Sequence, residues 1–417
     1  MNAEEPTAVG QEVGDAQVSQ GEPGDATTPG GLPLPARGTG LDMPGTPSAD
    51  LPPAGELAAR VAGGRNPNPA DDARYAEIMG DLSFGTAFTD HMVRATWTHD
   101  DGWGPLRLEP YGPLQLSPAA SVLHYGQEVF EGLKAYRWED GSVRTFRPGF
   151  NAARLAHSAR RLALPEMPAE DVVASIAALM SVDERWVPSD EGASMYLRPF
   201  MFSSEPFLGV RAGRQVEYLL IASPVGPYFV HGFEPVGIWV SSTYHRAGVG
   251  GMGDTKTGGN YAASLLPQAE AYEKGFEQVL FLDASTNTYV DELGGMNLVV
   301  VGSDGTVRTP DLTGTILRGG TRDALLTLLA ESGREVREEP IALADLLADI
   351  RSGAVAEVFA CGTAAVVTPI GRLAGEDFDV TVADGQPGQV TRSLHAELTD
   401  IQYGRAADTH QWMYRLV

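Results

Sequence analysis

The stretch GVGGMGDTKTGGNYAAS, residues 248–264, sets one lysine, Lys256, among six glycines. An amine so placed can neutralise a phosphate, line a dinucleotide loop, or attack an aldehyde to form a Schiff base. Gly248, Gly250 and Gly253 satisfy G-x-G-x-x-G, and Gly250 through Thr257 approaches G-x-x-x-x-G-K-[ST]. Context weakens both. A dinucleotide loop follows a strand directly and opens a helix, whereas STYHRA separates Val240 from Gly248 and the next helical pattern begins only after Gly259. Glu270, a possible ribose acid, falls on the very helix that should follow the loop. A P-loop needs its last glycine so that backbone N–H groups converge on phosphate, and Thr255 stands there. The bland alternative is a tight turn carrying a solvated lysine.

The remaining reading is a lysine held on a close-packed turn for Schiff-base chemistry, as pyridoxal enzymes use it. That chemistry requires a carboxylate for the pyridine nitrogen, an anion site for the 5′-phosphate, and a second anion site for the substrate carboxylate. VDELGGMN offers Glu292, with Asp291 beside it leaving the choice of acid open. LRGGTRDALL places Gly319, Gly320 and Thr321 at a helix start, where free N–H groups favour phosphate. Arg154 opens the arginine-rich pattern RLAHSARRLAL and could add a bidentate partner. CGTAA supplies small residues whose backbone can approach an anion. Each feature alone has an ordinary structural reading: hairpin acid, helix cap, surface arginine, turn. Nothing in the pattern calls for a metal.

These residues need elements to hold them. SMYLRPFMF, VEYLLIASPVG and PVGIWVSSTY read as strands. QVLFLD, TYVDEL and MNLVVV read as a strand meander, and EVFACGTAAVVTPI as a buried strand with a turn at Cys361–Gly362. Asn260 is a candidate N-cap for a helix that Pro267 should kink or divide. TRDALLTLLAESG reads as a helix closed by glycine. Strands and helices mix without regular alternation, so the fold class is α+β. Residues 1–74 contain no aromatic side chain and are rich in Gly, Pro and Thr, so residues 1–79 are expected to form a disordered tail. A small α+β domain is expected over 80–228, a linker over 229–235, and a larger domain over 236–417.

The chain has 417 residues, 43 % of them apolar, and a net charge of −25. That charge repels nucleic acid and anionic membrane and favours small-molecule chemistry. The lone Cys361 permits no intrachain disulfide. The start MNAEEPTAVG lacks a basic, apolar leader, so a cytoplasmic location is expected.

GDTKTGGNYAASL, DELGGMN, LHYGQEVFEGLKAYR, MYLRPF, ASPVGPYF, EVFACGTAA and the closing DGQPG resemble, in order, the branched-chain amino acid aminotransferases, two-domain fold type IV pyridoxal 5′-phosphate enzymes. The resemblance runs from about Phe84 to the C-terminus. It implies that Lys256 carries the cofactor and shuttles the proton between substrate and cofactor. It implies Glu292, rather than Asp291, at the pyridine nitrogen, and Tyr261 at the phenolic oxygen. Arg154, Gly320, Thr321 and Thr363 would hold the phosphate, and the N–H groups of Thr363 and Ala364 the substrate carboxylate. Phe88, Tyr125, Phe130, Tyr196 and Tyr228 would wall the side-chain pocket, with Arg198 receiving the second carboxylate of glutamate. Branched-chain amino acids, their 2-oxo acids, glutamate and 2-oxoglutarate follow as substrates, and a homodimer as the assembly. The thiol pair of some relatives is missing, since Ala365 and Thr368 occupy those positions. A D-amino acid aminotransferase, an aminodeoxychorismate lyase, a paralogue of specialised metabolism and a non-catalytic homologue are the alternatives.

Overall fold

A computed structural model describes residues 45–227 and 233–417. Among these, ten strands form one sheet and nine a second. The first sheet is built on the long antiparallel pair Ser194–Ser203 and Gln215–Val225, in register from Ser194 opposite Val225 to Ser203 opposite Val216. Strand His91–Thr98 flanks Gln215–Val225, and Leu133–Arg137 flanks Ser194–Ser203. Alternation sends Met195, Leu197 and Met201 into an apolar core with Leu155, Val173, Ile176, Met180 and Trp186 from the chain between these strands. Tyr196 and Arg198 therefore take the opposite face.

The second sheet runs Val290–Leu293, Gln278–Leu282, Val236–Ser241, Val366–Ala374, Val355–Gly362, Asn297–Gly302, Val307–Thr309, Val336–Glu338. Val236–Ser241 pairs parallel with both of its neighbours, while Val355–Gly362 and Val366–Ala374 form an antiparallel hairpin. Leu280, Leu293, Leu298, Val300, Ala360 and Leu373 form its core. The helix expected after Gly259 begins earlier: Thr257 is the N-cap of Gly258–Ala263, and Asn260 lies inside, its amide donating to the carbonyls of Met252 and Thr255 at 2.7 and 2.9 Å. A second helix, Leu265–Glu273, starts two residues before Pro267, where the ring is tolerated.

Two expectations about organisation change. The tail expected over 1–79 is folded across its described part. Helix Ala54–Ala58 buries Leu57 at 1 % exposure, helix Asp72–Gly80 is capped by Asp71 and buries Ile78, and both residues join the first core together with Leu51. Aliphatic side chains supply the apolar surface that the lack of aromatics argued against. The range 236–417 does not stay with the second sheet. Strand Met413–Arg415 returns to pair with Val143–Phe146 in the first. Tyr228 and residues 229–232 of the expected linker lie outside the described residues.

Candidate active site

Lys256 sits where three elements converge. Its backbone N–H donates to Ser158 Oγ on helix Pro148–Arg161 at 2.9 Å, and its carbonyl accepts from Phe130 N–H on strand Glu128–Phe130 at 2.9 Å. Nζ donates to Tyr261 Oη at 2.6 Å and lies within 5 Å of the Phe130 and Tyr261 ring centres, at 4.8 and 4.9 Å. The surrounding glycines serve close approach. A Cβ at Gly253 would run into the Thr315 backbone, and one at Gly258 into the Glu128 carboxylate, which accepts the Gly258 N–H.

Asp291 and Glu292 alternate on strand Val290–Leu293, so they point to opposite faces. Both are buried. Thr315 Oγ1 approaches Asp291 Oδ1 at 3.3 Å, while Oδ2 has no partner among the described residues. Glu292 Oε1 pairs with Arg246 Nη1 at 2.8 Å and accepts Leu317 N–H at 2.7 Å; Oε2 accepts from the Asn297 amide at 3.0 Å. Burial raises Glu292 to about 7, opposed by Arg246 and the Leu317 N–H and reinforced by Asp291. Burial likewise pushes Asp291 to about 6. A carboxyl poised near neutrality and fixed by three donors can exchange or share a proton with a ring nitrogen. Arg246 comes from STYHRA, which reads in the sequence as a spacer.

The phosphate candidates meet in one cleft, lined by Arg154, Gly320, Thr321 and Thr363 together with Lys134 and Asn151. Gly320 and Thr321 open helix Gly320–Glu331. Arg154 is 4 % exposed and clamped by Glu131 at 2.6 and 2.9 Å, with Nη1 on the Arg318 carbonyl at 2.8 Å. Burial acts to raise the Glu131 carboxyl, and Arg154, Lys256 and Asn151 together outweigh it, so the net shift is downward. Thr363 and Ala364 lie in the turn joining Val355–Gly362 to Val366–Ala374.

Of the expected pocket walls, Phe130, Tyr196 and Arg198 come together. The Arg198 guanidinium stands 4.8 Å from the Phe130 ring centre and 5.3 Å from that of Tyr196, and Nη2 donates to Tyr196 Oη at 3.2 Å. Phe84, which the sequence reading passed over, packs edge-on to Tyr196 at 5.0 Å. Phe88 instead stacks on Tyr111, and Tyr125 ends the short helix Val122–Tyr125, exposed, with its hydroxyl on the Leu208 carbonyl at 2.6 Å.

Residues 128–373 match the family described as Amino-transferase class IV. A branched-chain-amino-acid aminotransferase of Mycolicibacterium smegmatis is 54 % identical over 355 residues, covering 84 % of this chain and 96 % of its own. The chain belongs to the class IV aminotransferases. The crystal structure of the branched-chain amino acid aminotransferase of Escherichia coli matches this aminotransferase with a TM-score of 0.65 at 28 % identity, covering 78 % of this chain and 99 % of its own. A second crystal structure, a branched-chain amino acid aminotransferase from T.th. with pyridoxamine 5′-phosphate, matches at 26 % identity and a TM-score of 0.65, covering 78 % of this chain and 98 % of its own.

Proposed function

We propose that this aminotransferase moves the amino group of leucine, isoleucine or valine onto 2-oxoglutarate, reversibly, with pyridoxal 5′-phosphate held on Lys256. One observation carries the reading: a lysine amine, a buried carboxyl raised towards neutrality and an arginine–glycine–threonine anion cleft occur together in the residues of one family-matched core. This donor set fits the cofactor. When bound, pyridoxal 5′-phosphate supplies an aldehyde for amine capture and a ring that accepts electrons. Tyr261 orients Lys256 Nζ at 2.6 Å, and that amine moves a proton to and from the substrate Cα. Glu292 holds the proton on the ring nitrogen. Arg154, Gly320, Thr321 and Thr363 bind the phosphate, and the N–H groups of Thr363 and Ala364 the α-carboxylate. Phe130 and Tyr196 enclose the aliphatic side chain, and Arg198 takes the second carboxylate of glutamate.

The homodimer belongs to this proposal. Leu123, Tyr125, Leu208 and Val210 are exposed apolar side chains around the Tyr125–Leu208 contact, a face that a second copy would cover. A cytoplasmic location is proposed on the acidic composition; no helix among the described residues is long and apolar enough to cross a membrane. Single-turnover absorbance tests the whole reading. Leucine and glutamate should each convert the bound cofactor to its amino form. Conversion by D-alanine with no response to leucine would favour a D-amino acid aminotransferase instead.

A further inference from the structure

The turn Thr363–Ala365 is held from the other sheet. Lys134, on strand Leu133–Arg137, is 6 % exposed, and its Nζ donates to the Ala364 carbonyl at 2.8 Å. Its backbone is fixed in turn, because the Lys134 carbonyl accepts from Thr145 Oγ1 at 2.8 Å. Lys134 pairs directly with Tyr196 across the ladder, so both side chains occupy the face that carries Arg198. The exit from the turn is strained. Val366, a β-branched residue, has φ +58°, and such a conformation persists only where its surroundings impose it.

Among the described residues Lys134 has no carboxylate partner within ion-pair distance. Arg147, Arg154 and Tyr136 share the cleft on one side of it. Glu191, Glu234, His395, Tyr403 and Arg405 line the cavity on the other. Burial lowers its pKa to about 8. A buried ammonium satisfied by a single carbonyl is costly unless an anion also comes to it.

We infer that Lys134 is a positioning residue for the α-carboxylate of the substrate: it fixes the Thr363–Ala365 turn through the Ala364 carbonyl and lends its positive charge to the carboxylate received by the turn's N–H groups. The inference rests on the aminotransferase reading and on that turn as carboxylate receptor. Every amino donor and every 2-oxo acceptor carries the same carboxyl group. Lys134 therefore acts equally on leucine and on glutamate, unlike Arg198, which meets only the second carboxylate.

The test uses the cofactor-loaded full chain as wild type, Lys134→Met and Lys134→Arg. Half-reaction kinetics are measured with leucine and with glutamate. Affinity for 4-methylpentanoate, a leucine-shaped carboxylate without an amine, is read from the perturbed cofactor absorbance. Lys134→Met should raise KM for both amino acids by about 10–100-fold with kcat within about threefold, the signature of lost uniform binding. It should weaken 4-methylpentanoate to the same degree. Lys134→Arg, which keeps the charge, should recover much of the loss and also covers the case in which the methionine variant fails to fold. Weakened cofactor retention with unchanged KM would assign the charge to the phosphate and overturn the inference. A lower Tm with unchanged KM and carboxylate affinity would reduce Lys134 to a structural tie and equally overturn it. Wild type that leucine leaves spectrally unchanged would instead sink the aminotransferase reading.

Discussion

The proposed cofactor end and the proposed substrate end of the site are finished differently. At the proposed cofactor end, each charged side chain that would face the cofactor has a strong partner, Arg154 in Glu131, Glu292 in Arg246, Leu317 and Asn297, Lys256 in Tyr261, and the atoms unpartnered among the described residues, Arg246 Nε and Asp291 Oδ2, lie behind them. At the proposed substrate end, Arg198 leaves Nε without a partner among the described residues and shares one long contact with Tyr196. A group that stays through every turnover rewards a preorganised frame. A pocket that must accept an isobutyl group and then a carboxylate cannot commit its polar atoms in advance without leaving one ligand badly matched.

The contrast can be broken by substitution. Lys256→Ala should abolish the cofactor's covalent absorbance band and nearly all transamination with either amino acid; normal turnover by this variant would remove the lysine from the chemistry. Glu292→Gln should retain cofactor yet lose kcat on the order of 10²–10³-fold, the scale of removing one preorganised electrostatic partner. Steady-state kinetics beside Asp291→Asn decides between the two acids, and a crippled Asp291→Asn with an intact Glu292→Gln would mean the frame is built around the wrong carboxyl. Arg198→Met should be selective: about 2–4 kcal/mol lost in kcat/KM for glutamate and far less for leucine. Equal losses would make the substrate end as rigidly committed as the other.

Leu57→Ala lies outside both ends and should leave their kinetics alone while costing about 2–5 kcal/mol of stability in a denaturant melt. The same melt on a chain beginning at residue 70 should show a comparable or larger loss, because that chain lacks Leu51, Ala54 and Leu57 of the first core. The smallest effect is on pH. Burial raises Glu292 to about 7 and Asp291 to about 6. Their contribution to stability is therefore complete below their ordinary pKa values and falls away as pH rises through 6 and 7. Cofactor-free wild type should lose Tm relative to cofactor-free Glu292→Gln between pH 5 and pH 8, and a constant difference would show that Arg246 already keeps Glu292 ionised throughout.

What could be read in the sequence follows how local the cause is. The long strands Ser194–Ser203 and Gln215–Val225 and the helix Gly320–Glu331 carry their own periodicity and stops. Lys256 stood out because its glycine setting is local. Glu292 over Asp291 did not, since strand alternation says that the two part but not which faces the cleft. Arg246 and Lys134 were hidden because each acts at long range, one beneath Glu292 and one across to Ala364. The segment 45–80 was misread for a related reason: Leu51, Leu57 and Ile78 are scattered among Gly, Pro and Asp, and only the tertiary core shows what they bury against. Asn260 looks like a cap by residue type, but its amide serves the lysine loop.

The return of Met413–Arg415 to the first sheet, beside Val143–Phe146, bears on synthesis. A nascent chain can assemble strands His91 to Val225 early, but the edge at Val143–Phe146 stays open until Met413–Arg415 has left the ribosome. Its edge is then an unpaired template during the whole translation of the second sheet. Emergence of Met413–Arg415, rather than completion of either sheet alone, is the event that closes that edge.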